Sequence, residues 1–255
     1  MTGTLEGKVV LITGAGSGIG QASAHRVAQA GGHVVVCDIN VEHGAAVTDA
    51  VRASGGSAEF AHADMGVEAD VKSLIAGIVA RHGRIDGAFN NAGIVQVGKP
   101  LHELTTEEWE RAIRVDLTGV FWCIKYEVLA MLQSGGGKIV NTASSLGQVA
   151  IANASEYIAA KHGVMGLTRA AAADYGAMGI RVNAILPGII QTPVIDALSQ
   201  NSDFKAFLGK LKDRHPIGRF GQAEEIGDAA VWLLSDQSTF VNGATIPVDG
   251  GYLAT

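Results

Sequence analysis

The chain has 255 residues, enough for one large domain or two small ones, and 47% are hydrophobic against 17% charged, which permits a sizeable core and excludes wholesale disorder. A net charge of −6 without a basic run argues against nucleic-acid binding. Residues Met1–Lys8 show no secretory-signal pattern and no run of 18 apolar residues could span a membrane, so we expect a soluble, cytoplasmic protein.

Short β-rich runs alternate with longer stretches of helical spacing along the chain. Near-continuous runs of Val and Ile are typical of strands buried on both faces, so the pattern predicts a parallel sheet with helices on each side. No linker or repeat interrupts it, which indicates a single doubly wound α/β domain of the Rossmann type with a seven-stranded, mostly parallel sheet. The predicted strands are Lys8–Thr13, His33–Asp38, Ala58–Ala63, Asp86–Asn90, Lys138–Ala143, Arg181–Leu186 and Ala244–Val248; the predicted helices are Ile19–Ala30, Val41–Ala53, Glu68–His82, Thr106–Leu132, Ser155–Ala177 and Ala223–Leu234.

Two further features accompany this alternation. Residues Thr192–Gly218 mix polar and apolar side chains, which predicts a small helical insertion, a substrate lid around 192–216, over the carboxyl edge of the sheet. Cys37 and Cys123 lie far apart and form no CxxC pair, so we expect reduced, buried thiols.

The turn after the first predicted strand, residues 13–20, reads TGAGSGIG. Glycine lets the backbone turn sharply and approach a pyrophosphate closely, while the N-terminus of the next helix offers free N–H groups to the anion. A tight turn without a ligand is the alternative, but four glycines in the seven residues 14–20 exceed what such a turn requires. The spacing TGxxxGxG therefore indicates a dinucleotide-binding turn.

Asp38 ends the second predicted strand, where an acidic side chain accepts hydrogen bonds from the adenosine ribose in dinucleotide-binding folds. A carboxylate there repels a 2′-phosphate, and no Arg or Lys stands at positions 15–17 or 39–40 to neutralise one. This pattern favours NAD over NADP, although a solvated strand-end Asp is also common.

Tyr157 and Lys161 carry the most specific chemical signal. At i and i+4 on a helix they share one face. A phenol is too weak an acid to serve as a base at neutral pH, and a fixed ammonium nearby favours the phenolate. Thirteen residues before Tyr157, Ser144 closes a predicted strand, where its hydroxyl could hold a substrate oxygen. A Tyr and a Lys on one helix are usually an amphipathic pair, so the strength of the signal comes from the preceding glycine turn and Ser144.

Together these residues resemble the short-chain dehydrogenase/reductase family, in its compact branch, over essentially the whole chain. The matching positions are Thr13–Gly20, Asp64, Asn90-Asn91-Ala92-Gly93, Ser144, Tyr157, Lys161, Asn183, Pro187-Gly188, Thr192 and Val248–Gly251.

The resemblance implies roles that spacing alone does not show. Tyr157 would exchange a proton with the substrate oxygen, Ser144 would polarise that oxygen, and Lys161 would bind the nicotinamide ribose. The hydride itself moves by the chemistry of the cofactor. The implied cofactor contacts are Gly14, Ser17, Gly18, Ile19, Gly20, Asp38, Ile39, Asp64, Met65, Asn90, Ala92, Gly93, Tyr157, Lys161, Pro187, Gly188, Ile190 and Thr192.

One position departs from the family pattern. Asp116 stands where the family often carries a catalytic Asn. Asn both donates and accepts hydrogen bonds, whereas an ionised Asp only accepts. We therefore expect Asp116 to be a site residue that acts through its backbone carbonyl or with a changed pH profile.

The histidines and two of the predicted helices bear on metal binding and on assembly. The eight histidines form no HExxH motif or close ligand pair, so the sequence predicts no metal site. The helix that holds Phe121, Trp122 and Tyr126 is apolar nearly all round, and the Ala/Gly-rich helix 157–177 would pack closely against a copy of itself. Family members commonly pair these two helices across subunits, which implies a homotetramer.

The substrate pocket is expected to be mostly apolar, without a cationic anchor, which suits a small neutral alcohol or ketone. A 3-oxoacyl-carrier-protein reductase is an alternative, but residues 134–137 and 176–179 lack the basic side chains that dock an acidic carrier. A sugar dehydrogenase and a catalytically idle nucleotide-binding regulator also remain open. The expected lining is Val95, Gln96, Leu146, Gln148, Val149, Ile151, Asn153, Ile189 and residues 192–216.

Overall fold

The computed structural model describes residues 3–95, 98–198, 208–209 and 211–255. Its main sheet has seven strands in the order β3-β2-β1-β4-β5-β6-β9, and every neighbouring pair is parallel. The doubly wound fold predicted from the sequence is thereby confirmed, with a sheet that is wholly rather than mostly parallel. The strands are β1 (Val9–Thr13), β2 (His33–Asp38), β3 (Ser57–His62), β4 (Gly87–Asn90), β5 (Gly137–Thr142), β6 (Ile180–Pro187), β7 (Ile190–Gln191), β8 (Gly221–Gln222) and β9 (Thr245–Val248).

Helices cover both faces of this sheet. Side chains alternate along a strand, so Leu11 of β1 joins one core cluster while Val10 and Ile12 join the other. Helices α3, α5 and α6 cover the first face, and α1, α2 and α8 cover the second. The helices are α1 (Gly18–Gln29), α2 (Val41–Ala53), α3 (Glu68–His82), α4 (Thr106–Ile113), α5 (Gly119–Ser134), α6 (Ser155–Tyr175), α7 (Pro193–Leu198) and α8 (Ala223–Leu234).

The strand order reverses beside β1. From β1 the chain moves outward to β2 and β3, then returns to β4 on the other side of β1. After β1 and β4 the chain passes to helices on opposite faces of the sheet, and at such a reversal open α/β folds bind ligands in a crevice at the carboxyl edge.

Three details differ from the expectations. The predicted helix Thr106–Leu132 is divided into α4 and α5 by a π-turn, Arg114–Thr118, and the predicted helix Ser155–Ala177 ends at Tyr175. A parallel pair, β7 with β8, was not expected. Residues 199–207 and 210 of the predicted insertion lie outside the described residues. No helix in the described part of the chain is long and apolar enough to cross a membrane.

Candidate active site

The glycine turn is packed too closely for side chains at two positions. Gly14 has a φ of +62°, and a Cβ there would lie 2.7 Å from the Cα of Ala92. A Cβ on Gly20 would lie 2.1 Å from the carbonyl oxygen of Gly14. These contacts press the start of α1 against the ends of β1 and β4, so the turn faces the crevice.

The N-terminus of α1 is available to an anion. Ser17 precedes the helix without a capping hydrogen bond from its side chain, and no acidic residue lies in the first turn. By contrast, the Asn40 side chain caps α2 by accepting a hydrogen bond from the His43 N–H. Unpaired N–H groups at the positive end of a helix suit a pyrophosphate, so this turn fits the dinucleotide that the sequence implies.

Asp38 lies beside this turn. Its carboxylate accepts hydrogen bonds from the backbone N–H of Gly16 at 2.7 Å and of Asn40 at 2.8 Å. Each oxygen keeps further lone pairs, so the group can still accept from ribose hydroxyls. The structure thus places the predicted specificity residue next to the glycine turn.

A second set of hydrogen bonds joins the ends of β1 and β4. The Thr13 hydroxyl accepts from the backbone N–H groups of Asn91 and Ala92, and the Asn91 side chain donates to the carbonyls of Thr13 and Gly14. Sequence reasoning named Asn91 within its motif without giving it this role. It holds the two loops that line the crevice together.

Asn90, in contrast, faces the core. It is 2% exposed, and its amide donates to Glu127 and Asn141, both at 3.0 Å. Burial raises the pKa of Glu127 to about 8, although the hydrogen bond from Asn90 opposes the shift. The Asn90 side chain is therefore engaged in the core, and its cofactor contact stays a prediction.

Helix α6 carries Lys161 and Tyr157 to the carboxyl edge of the sheet. Lys161 is 3% exposed, its ammonium donates to the carbonyl oxygen of Thr142 at 3.0 Å, and Nζ lies 5.5 Å from the ring centre of Tyr157. Sequence reasoning missed Thr142, because the contact uses a backbone carbonyl that no residue type reveals. Lys161 thus spans the gap between α6 and the carboxyl end of β5.

The Ser144 turn packs on the same helix. Ser144 Oγ accepts from the Leu146 N–H at 3.1 Å, so the hydroxyl hydrogen is free to donate elsewhere. A Cβ on Gly147 would lie 3.1 Å from the Lys161 carbonyl, which shows how closely this turn approaches α6. Ser144, Tyr157 and Lys161 therefore come from two adjoining elements at the carboxyl edge of the sheet.

Asp116 is buried beside Lys161. Its Oδ1 accepts from the Ile94 N–H at 2.9 Å and lies 3.8 Å from Lys161 Nζ, while Oδ2 is buried without a hydrogen-bond partner. Burial raises the pKa of Asp116, and the Lys161 ammonium and the Ile94 N–H oppose that shift. The π-turn carries this carboxylate, 0% exposed, into the site. The structure therefore places the Asp116 carboxylate itself beside Lys161.

The loop after β6 is anchored by His215. The Ile189 N–H donates to His215 Nε2 at 3.2 Å, and His215 Nδ1 lies 2.8 Å from the Leu211 carbonyl. Sequence reasoning had set this buried histidine aside. It ties the end of the insertion to the loop that holds the predicted contacts Gly188 and Ile190.

The remaining predicted residues are less closely grouped. Ile39 is 60% exposed beyond Asp38, Asp64 accepts from the Gly66 N–H, and Met65 is buried. A methyl of Thr192 would lie 3.2 Å from a Cβ on Gly18, so Thr192 reaches the glycine turn.

The predicted substrate residues are dispersed. Val95 is 54% exposed, and Leu146, Val149 and Ile189 are half-buried. Ile151 and Asn153 line a cavity of about 400 Å³ with Ile158 and His162, which point about 100° away from Tyr157 and Lys161 around α6. Gln148 is exposed, and Gln96 lies outside the described residues.

Known proteins resemble this chain over nearly its full length. A family model described as "Enoyl-(Acyl carrier protein) reductase" matches residues 14–253. A 2,5-dichloro-2,5-cyclohexadiene-1,4-diol dehydrogenase of Sphingobium indicum is 47% identical over 252 residues, 98% of each chain. A cyclohexanol dehydrogenase of an Acinetobacter species is 46% identical and covers 99% of this chain and 97% of its own.

Solved structures also resemble this chain over nearly its full length. Levodione reductase has a TM-score of 0.94 at 39% identity, over 98% of this chain and 99% of its own. A gluconate 5-dehydrogenase from Burkholderia cenocepacia, solved with NADP and tartrate, has a TM-score of 0.91 at 37% identity, over 98% and 97%. With its all-parallel sheet, its glycine turn and its full-length relatives, the chain belongs to the short-chain dehydrogenase/reductase family.

Proposed function

We propose that the protein is an NAD(H)-dependent oxidoreductase that interconverts a secondary alcohol and a ketone, with Tyr157 as the acid/base. One observation carries the proposal. The buried Lys161 ammonium, held by the Thr142 carbonyl and 3.8 Å from Asp116, lies beside the Tyr157 ring at the edge that carries the glycine turn. A fixed cation next to a phenol favours the phenolate that alcohol oxidation requires.

The residues of the chain divide the proton chemistry among them. In oxidation, Tyr157 takes the hydroxyl proton of the alcohol, and in reduction it returns a proton to the carbonyl oxygen. Ser144 donates a hydrogen bond to that same oxygen and stabilises the charge that develops there. Lys161 keeps Tyr157 in its reactive form and binds ribose hydroxyls. The bound nicotinamide supplies the acceptor or donor of the hydride.

The preference for NAD over NADP rests on Asp38. Its carboxylate is held by the Gly16 and Asn40 N–H groups, so it remains beside the glycine turn, where it repels a 2′-phosphate. One relative, the gluconate 5-dehydrogenase, was solved with NADP. Both cofactors therefore belong in the test.

The proposed substrate is a small alicyclic alcohol or its ketone. The relatives named for cyclohexanol, a cyclohexadiene diol and levodione suggest a ring compound. The predicted pocket residues outside the segment 192–216 that the structure describes, among them Val95, Leu146 and Ile189, are neutral, so a charged substrate finds no partner among them. A sugar dehydrogenase is the second candidate, favoured by the gluconate 5-dehydrogenase structure.

We further propose a cytoplasmic homotetramer. On α5, Phe121, Leu129 and Leu132 are 44%, 51% and 41% exposed. Large apolar side chains on one helix are the kind of surface that a second subunit covers. Light scattering measures the assembly directly, and a monomer at micromolar concentration would refute it.

The decisive test is turnover with purified protein. Cyclohexanol, a cyclohexanediol and gluconate are each supplied with NAD and with NADP, and NADH or NADPH formation is followed by absorbance. We expect turnover of the ring alcohols with NAD and a loss of at least about 100-fold in Tyr157→Phe, which removes only the hydroxyl. Tyr175→Phe, the same change at the far end of α6, serves as the control.

Other outcomes of this assay would favour the alternative functions or refute the role of Tyr157. Turnover of gluconate alone would favour the sugar dehydrogenase. NAD binding without turnover of any substrate, including a 3-oxoacyl thioester with NADPH, would favour the idle regulator. An active Tyr157→Phe variant would refute the acid/base assignment.

A further inference from the structure

Three side chains converge at the edge of the sheet opposite the active site. His33 begins β2, Glu59 lies in β3, and His82 ends α3. Because α3 runs antiparallel to the strands, its last residue reaches the edge where the strands begin. One ring nitrogen from each histidine and one carboxylate oxygen of Glu59 lie within 4.8 Å of one another.

The ring of His33 is already oriented. Its Nδ1 lies 2.7 Å from the hydroxyl of Ser57, its register partner on β3. Its Nε2, however, is buried without a hydrogen-bond partner. An unpaired buried ring nitrogen is unusual, because it loses its bond to water without replacement. In metal-bound histidines one ring nitrogen commonly donates its hydrogen to a neighbouring oxygen while the other binds the metal, and the Ser57 hydroxyl and the unpartnered Nε2 match that arrangement.

The other two donors lie beside it. His82 Nε2 is 3.1 Å from Glu59 Oε1, and the His33 and His82 rings are 4.7 Å apart between centres. Donor atoms of a tetrahedral zinc site lie roughly 3.3 Å apart, given Zn–N and Zn–O bonds of about 2.0–2.2 Å. Side-chain rotations that move the donor atoms by about 1 Å bring the three of them to that spacing.

We propose that His33, Glu59 and His82 form a binding site for a divalent transition-metal ion, with Zn²⁺ as the best match. Two imidazoles and one carboxylate suit zinc rather than Mg²⁺ or Ca²⁺, which take oxygen ligands. The ion joins β2, β3 and α3 at an edge of the sheet remote from the cofactor crevice. Its role is therefore structural, and it is independent of the proposed hydride transfer.

Arg81 is expected to lower the affinity of this site for the metal ion. Its guanidinium donates to both oxygens of Glu59, at 2.8 Å to Oε1 and 3.3 Å to Oε2. A cation bound there competes with the metal for the carboxylate. The Arg81 side chain is 48% exposed, so it can turn into solvent or keep only the second oxygen. Removing Arg81 should therefore tighten binding, an effect that damage to the fold would not produce.

The test titrates chelator-treated full-length protein with ZnCl₂, using calorimetry for stoichiometry and Tm for stability. We expect one Zn²⁺ per chain and a Tm rise of about 5 °C at saturation, reversed by chelator. His33→Gln and His82→Gln should each weaken binding by more than about 100-fold, and Ser57→Ala by about 10–100-fold. His102→Gln, beside Glu103 in an exposed pair, is the matched control and should bind as the wild type does.

Arg81→Gln provides the test in the opposite direction. We expect it to bind Zn²⁺ about tenfold more tightly, the loss of one neighbouring competing charge being worth roughly that factor. Failure of the wild type to take up stoichiometric Zn²⁺ overturns the site, as does equal uptake by the His33→Gln and His82→Gln variants. Weaker binding by Arg81→Gln overturns coordination by Glu59. Hydride transfer is measured separately, so neither result bears on the other.

Discussion

Glu127 lies on α5 in the centre of the molecule. It is 0% exposed, its Oε2 accepts from the Asn90 amide at 3.0 Å, and its Oε1 is buried without a hydrogen-bond partner. No cation contacts it in the described part of the chain. Because a carboxylate is costly to bury without a compensating charge, burial raises its pKa to about 8.

This shift makes stability depend on pH with a definite sign. In the unfolded chain the carboxyl ionises near 4.5, whereas in the folded protein it keeps its proton up to about pH 8. Between these values the folded state holds one proton more than the unfolded state, so the free energy of unfolding falls by about 1.4 kcal/mol per pH unit. Over this window the loss amounts to about 5 kcal/mol.

Glu127→Gln removes this dependence while keeping size and the acceptor for Asn90. The assay is urea unfolding of wild type and variant at pH 5, 6.5 and 8, at one protein concentration. We expect the free energy of unfolding of the variant, relative to that of the wild type, to rise by about 1.4 kcal/mol for each pH unit. The control is Glu110→Gln, an exposed glutamate on α4. If the Glu127→Gln difference is the same at all three pH values, Glu127 is ionised throughout and the reasoning is refuted.

Three further changes test the site. Asp116→Asn removes the carboxylate near Lys161. Because burial raises the pKa of Asp116, against the pull of Lys161, the wild-type profile of kcat against pH should show an ionisation above the ordinary carboxyl range that the variant lacks. Identical pH profiles for the two proteins would contradict the involvement of Asp116. Asp38→Ala should lower the ratio of kcat/KM with NAD to that with NADP by about tenfold, and an unchanged ratio would remove Asp38 from cofactor selection. Gly20→Ala places a Cβ 2.1 Å from a backbone oxygen, so it should lower the free energy of unfolding by about 1–3 kcal/mol and weaken NADH binding, which is followed by fluorescence. The control Gly77→Ala in α3 should change the free energy of unfolding by no more than about 1 kcal/mol. Equal effects of the two variants would refute the packing argument.

Much of the fold could be predicted because its determinants are local. The Val and Ile runs of β1 and β2 end within about a residue of their predicted bounds, since buried parallel strands need apolar side chains on both faces. The pair Tyr157 and Lys161 shares a helix face because of the helical repeat alone. The TGxxxGxG spacing likewise marks a turn whose conformation few other residues could adopt.

Other features depend on contacts between distant segments. The division of the predicted helix Thr106–Leu132 by a π-turn brings Asp116 to Ile94 and Lys161, and nothing in the helical spacing marks it. The amide of Asn90 pairs with Glu127 across the core, which no sequence pattern marks. The direction of a strand-end side chain depends on what packs against that strand.

The sequence by itself determined the strand-helix alternation, the glycine turn and the helical pairing of Tyr157 with Lys161, because each depends on residues within one or two turns of chain. Only the tertiary structure decided what surrounds Lys161, where the Asn90 amide points, and that His33, Glu59 and His82 meet. Those contacts join elements far apart along the chain. They exist because hydrophobic burial packs helices onto a sheet whose strand order differs from the order in the sequence.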